Sequence, residues 1–226
     1  LFVHDQVFDI ASKGGRMAFT MSCRQRPCKP CRLASTIGKT IMTLPDILVP
    51  TYLQMLGALS AWLGKAEAGD QADALMAARL APDMFPLSTQ VRFACVQAQE
   101  GMFRLRGEPL PPSIAELLDE GRKGGEQPGS IAEARTRIAE TVAIVEQAAV
   151  GMPEVDPAAA IAHALPQGMV FDLDAAQYVR DWALPQFYFH VMTAYAILRA
   201  QGVDLGKADY VAHMFPYLRP GTMPGQ

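Results

Sequence analysis

WALPQFYFHVMTAYAILRAQG, residues 182–202, is apolar on nearly every face of a helix yet carries Gln186, His190 and Thr193. On a helix these three fall at i, i+4 and i+7, one above another. A helix that is apolar all round belongs in an interior. A polar stripe buried there has to be satisfied by neighbouring side chains, a ligand or a metal. Pro185 interrupts the pattern, removes one helical hydrogen bond and frees the carbonyl of Asp181. Asp174 with Gln177 caps this last long helix, and Gly202 ends it.

Working outward, three more amphipathic helices are predicted. The first runs from about Pro50, placed in the first turn, to Ala68, with Leu48, Tyr52, Leu56, Leu59, Leu63 and Ala66 as its stripe. A short helix at 72–77 follows. The second spans about Pro86 to Arg106, with Leu87, Val91, Cys95, Ala98, Met102 and Leu105 inward and Arg92, Gln99, Arg104 and Arg106 outward. Ser113 with Glu116 reads as a capping box for a short helix at 114–120, and GRKGGEQPG (121–129) as an exposed loop. Ser130 with Glu133 opens the third helix, whose stripe is Ile131, Ile138, Val142, Val145 and Ala149. Weak alternation around PQG at 161–172 predicts a short hairpin or extended segment. Four long amphipathic helices specify an all-α bundle.

The chain has 226 residues, half of them hydrophobic, enough for one domain with a proper core. Residues 1–42 hold seven Lys/Arg against two Asp, a net of +5, so the net −3 of the whole leaves −8 on the remainder. An acidic body argues against a nucleic-acid-binding surface. Residues 1–41 lack sustained periodicity and are read as an extension outside the domain. The domain is placed at 42–213, followed by a flexible tail at 214–226. No unbroken apolar run reaches the ~18–20 residues that span a bilayer, and no signal-peptide layout opens the chain, so the expectation is a cytoplasmic protein with no membrane partner. Cys23, Cys28 and Cys31 have C-x4-C-x2-C spacing, three of the four positions of a plant-type ferredoxin cluster. The fourth would be Cys95, on an apolar helix face, and the arginine-rich surroundings do not suit that fold.

RLAPDMFPLSTQV (79–91) and ALPQFYFHVMTAYAILRAQGVDLGKADY (183–210) resemble a family of uncharacterised bacterial proteins within the DinB/YfiT-like superfamily, whose members are classed with metalloenzymes. The resemblance covers about Met42 to His213. It implies an up-down-down-up four-helix bundle, often dimeric. It also implies a divalent metal, commonly zinc or nickel, held by one histidine on the second helix and two on the last, four residues apart; some members transfer thiols. Aligned from Arg199 backwards, His190 falls on one metal histidine and Gln186 on its partner. The second helix has no histidine, and Asp83 and Gln90 are the nearest substitutes.

The candidate ligand-binding residues are therefore Asp83, Gln90, Gln186, His190 and Tyr195, with His190 the candidate catalytic group because its intrinsic pKa lies near neutrality. One imidazole of three, with an amide as its neighbour, is a poor zinc set, so a metal-free site for an unknown small molecule is the first reading and a metal-dependent thiol-transferase the alternative. A third reading is a core histidine bonded by Asp83, a tyrosine hydroxyl or a carbonyl. For Asp83 the favoured role is to cap the second helix, ahead of orienting His190 or binding a ligand. Tyr188 and Tyr195, a heptad apart, read as core or homodimer-interface aromatics, and Lys207 and Asp209 as a surface turn that packs the tail onto the bundle.

Overall fold

Thr43 starts the first helix, α1 (Leu44–Glu67). Its hydroxyl accepts from the Asp46 amide at 3.3 Å while the Asp46 carboxylate accepts from the Thr43 amide at 2.8 Å. The helix thus begins well before Pro50, the expected start, because Pro45 takes the first-turn position. Pro50 sits inside, on an exposed position, where the Asp46 carbonyl that loses its partner can meet water. The computed structural model describes residues 42–69, 72–165 and 168–222. The expectations for residues 1–41, including Cys23, Cys28 and Cys31, lie outside them.

A 3-10 turn (Asp73–Ala77) leads to α2 (Leu87–Arg106), which Gly107 ends in the left-handed conformation. Then come α3 (Pro112–Lys123), α4 (Ile131–Ala149), and antiparallel strands β1 (Ala160–Ala164) and β2 (Val170–Asp174). The final helical run is α5 (Ala175–Gln177), a π-helical segment (Tyr178–Ala183) and α6 (Leu184–Ala200). A short α7 (Lys207–Tyr210) and a 3-10 turn (Ala212–Tyr217) follow. The protein is mostly helical. The expected capping boxes Ser130/Glu133 and Asp174/Gln177 are both formed.

α2 is the central element. It packs against α1, α3, α4 and α6, and α1 also packs against α4 and α6. Its first half is therefore buried on every face, from Leu87 through Val96. Arg92 and Gln99, expected outside, are inside. Gln99 donates to the Thr141 hydroxyl at 2.9 Å and accepts from Ser113 at 2.7 Å, so Ser113 serves α2 instead of capping α3. α3 runs on through Lys123, into what reads as loop in the sequence. Ser88 and Thr89 hydroxyls donate to the carbonyls of Gly124 and Gly121 at 2.9 and 2.8 Å and so satisfy the end of that helix.

By length and mean hydropathy (1.3) α1 passes for a membrane-crossing helix, although it contains no unbroken apolar run of that length. Its buried residues Leu48, Tyr52, Met55, Leu56, Leu59, Trp62, Leu63 and Ala66 belong to the shared core. After α6, Trp62 holds the chain down: its indole N–H donates to the Asp209 carbonyl at 3.3 Å, and Tyr210 stacks on its ring. Lys65 pairs with Asp209 at 2.6 Å.

Candidate functional site

Gln90 stands one turn into α2. Its amide N–H donates to the Phe85 carbonyl at 3.2 Å, just before the helix. That contact turns the amide oxygen toward α6, where it lies 2.9 Å from Nδ1 of His190. An amide oxygen only accepts, so the imidazole carries its proton on Nδ1 and leaves Nε2 as a lone-pair acceptor. The ring meets Phe93 and Phe189 edge-to-face, at centroid distances of 5.4 and 5.3 Å. Burial pushes the His190 pKa down to about 4, so the ring is neutral at physiological pH. Nε2 has no hydrogen-bond partner among the described residues.

Phe93 is held in turn. Its ring lies against Gly121 of α3, where an added Cβ would fall 2.3 Å from the ring. Phe85, 37% exposed, packs edge-on against Phe93, and Phe189 is 56% exposed. The imidazole thus sits under an apolar rim that faces solvent.

The other sequence candidates scatter. Gln186 is half-buried one turn before His190 and makes no hydrogen bond among the described residues. Thr193 turns its hydroxyl back to the Phe189 carbonyl at 2.6 Å, which removes it from the stripe. Asp83 is exposed and bonds neither His190 nor α2, whose cap position is held by Pro86. Tyr195 packs edge-on against Trp62, on the α1 side of the helix. Only Gln90 and His190 are brought into contact.

A second polar cluster escaped the sequence reading. It comprises Tyr52 of α1, Glu100 and Arg104 of α2, His163 of β1, and Tyr178 and Trp182 of the π-helical segment. The hydroxyls of Tyr52 and Tyr178, both ring nitrogens of His163 and the indole nitrogen of Trp182 are buried without a hydrogen-bond partner among the described residues. The signal was faint: His163 falls on the inward side of the alternation that predicted the hairpin.

Near the start of α4, Arg92, Glu120, Gln127, Gly129, Glu133 and Arg137 line a cleft of about 310 Å³. Its charges are already engaged. Glu120 accepts from Arg92 at 3.1 Å and from Arg137, and Arg137 also pairs with Glu140 at 2.8 Å.

The metal implied by the resemblance does not fit these residues. Among the described residues no three His, Cys, Asp or Glu side chains converge, His190 is flanked by the Phe93 and Phe189 rings, and its Nδ1 is committed to Gln90. Cys95 is a free, buried thiol whose pKa burial pushes up to about 12, which keeps it protonated and unreactive.

The helical architecture is that of the DinB-like class. A crystal structure of a DinB family member protein from Shewanella denitrificans is similar: it is 33% identical, over 81% of this chain and 94% of that one, with a TM-score of 0.57. The chain belongs to the DUF1993 family, a domain of unknown function, whose model matches residues 44–211. No curated protein matches it.

Proposed function

We propose that this protein is a metal-free small-molecule-binding or regulatory module built on an up-down-down-up four-helix bundle, with its ligand held at His190. One observation carries the reading. Gln90 locks the buried ring in the Nδ1–H tautomer, so Nε2 offers a neutral acceptor beneath the exposed rings of Phe85 and Phe189. The ligand it suits has an apolar body and a hydrogen-bond donor. Ligand screening by thermal shift, with wild type beside His190→Ala, tests this. The expected result is a ligand-dependent stabilisation that a folded His190→Ala variant loses. Unchanged affinity in that variant would remove His190 from the site.

We also propose a cytoplasmic homodimer. Phe189 and Met192, 56% and 38% exposed, project outward one turn apart on α6 and support contact with a second copy. Sedimentation equilibrium is expected to give a dimer that Met192→Lys converts to monomer; a monomeric wild type would end the proposal.

A further inference from the structure

The second polar cluster lies about 15 Å along α2 from the Gln90–His190 contact, ten residues at ~1.5 Å each. Four chain segments converge on it. His163 and Phe171 sit opposite one another in the β1–β2 ladder and share a face, with their rings 4.3 and 5.6 Å from that of Trp182. The His163 ring is also 5.6 Å from that of Tyr178. Nδ1 of His163 lies 3.8 Å from the Glu100 carboxylate, beyond hydrogen-bond reach. Gly101 makes room for Tyr52: a Cβ there would fall 2.2 Å from the hydroxyl.

Tyr52 and Tyr178 are fully buried and His163 is 2% exposed, so water at the surface does not serve them. Five polar atoms in one interior spot without partners among the described residues form a pattern that native interiors avoid. Together they present both donors and acceptors: two hydroxyls, one imidazole N–H with one bare nitrogen, and one indole N–H.

The charge balance selects the occupant. Arg104 neutralises Glu100 at 2.7 Å. Burial holds His163 neutral, lowering its pKa, and raises that of both phenols. A charged guest would find no uncompensated counter-charge and would lose its hydration. We infer that Tyr52, His163, Tyr178 and Trp182 form a second binding site, separate from His190, for a small neutral group that donates and accepts side by side, such as the amide or urea end of a ligand.

Acetamide is the probe, with acetate and methylammonium as charged counterparts of similar size. The readout is the indole N–H resonance of Trp182 in a ¹⁵N-labelled full chain, assigned with Trp182→Phe. Trp62, whose indole is bonded to Asp209, is the internal control. Acetamide is expected to shift the Trp182 signal saturably and leave Trp62 unmoved, while acetate and methylammonium do neither. Tyr178→Phe should weaken the acetamide response at least tenfold, and His190→Ala should leave it unchanged. No saturable shift with acetamide would overturn the site. So would an unmoved Trp182 signal together with a lowered melting temperature in Tyr178→Phe, the mark of an ordered water only. A stronger response to either charged probe would overturn the ligand class.

Discussion

Gln90 and His190 stand one hundred residues apart in the chain and share one hydrogen bond of 2.9 Å, imidazole Nδ1–H to amide oxygen. The amide is itself anchored on the Phe85 carbonyl, so the ring inherits its tautomer from the segment that precedes α2. Orientation by a neutral amide differs from orientation by a carboxylate, because it directs the ring without favouring its protonation.

That neutrality has a pH signature. The unfolded chain takes a proton on this histidine near its ordinary 6.5, whereas the folded chain resists until about 4. The unfolded state therefore binds more protons between those values. The contribution of His190 to stability is complete above about 6.5, declines as pH falls, and reaches its minimum below about 4, a loss of roughly 3 kcal/mol. His163, lowered mainly by burial, acts in the same direction. Urea denaturation at about pH 7.5 and about pH 4.5 should show the decline, and His190→Gln should flatten it. A wild-type stability independent of pH over this window would contradict the burial argument.

Replacing Gln90 with glutamate should reverse the logic. A carboxylate in the same place favours the imidazolium and should raise the His190 pKa by about 1–3 units, read from the ring proton shifts in an NMR titration. The variant should also lose about 1 kcal/mol at neutral pH, because glutamate cannot donate to the Phe85 carbonyl.

Gly121→Ala should disturb the site from a different helix. The new methyl would press on the Phe93 ring, which contacts the imidazole. The gain in helix propensity, up to about 1 kcal/mol, is smaller than the overpacking cost of about 1–3 kcal/mol. A net destabilisation of up to about 2 kcal/mol and a shift of the His190 ring signals are expected, the destabilisation being smaller when Gly121→Ala is made in a Phe93→Leu background. A neutral or stabilising Gly121→Ala would show that Phe93 moves freely.

Glu120→Gln should cost about 1–3 kcal/mol in chemical denaturation, since it leaves the buried Arg92 guanidinium with neutral acceptors in place of its counter-charge. The carboxylate is about a third exposed, which keeps the loss below that of a fully buried pair. Burial alone would raise the carboxyl pKa, but its bonds and proximity to Arg137 and Arg92 more than reverse this. The wild type should therefore hold this contribution at neutral pH and lose it as pH falls through the lowered folded pKa.

Local chemistry was the legible part of the sequence. Ser130 with Glu133, Asp174 with Gln177, the alternation at 161–172 and the stop at Gly202 each act within a few residues, and each is formed. Reading failed where one local signal competed with another. Thr43 and Asp46 start α1, but Pro50 drew the boundary because a proline commonly opens a helix. Ser113 has the spacing of a cap, but its hydroxyl finds Gln99 on a neighbouring helix. Arg92 and Gln99 read as outward because periodicity assumes one wet face, and α2 has neighbours around it. His190 and Gln90 were visible as candidates, while Asp83 entered as a substitute for a missing histidine and Tyr195 as a neighbour on the same helix, and neither touches the imidazole. The Tyr52–His163–Tyr178 cluster joins segments far apart in the chain, and no spacing rule reports such a meeting.

The π-helical segment Tyr178–Ala183 accommodates more residues per turn than the helix on either side of it. It therefore lets the capped start at Asp174 and the buried face of α6 keep different angular settings on one continuous rod. Removing a single residue there would turn one setting by about 100° against the other. His190 can keep its place on α6 while Tyr178 and Trp182 swing away from His163. The two polar clusters are thus separable by a change of chain length alone, with no side chain altered in either.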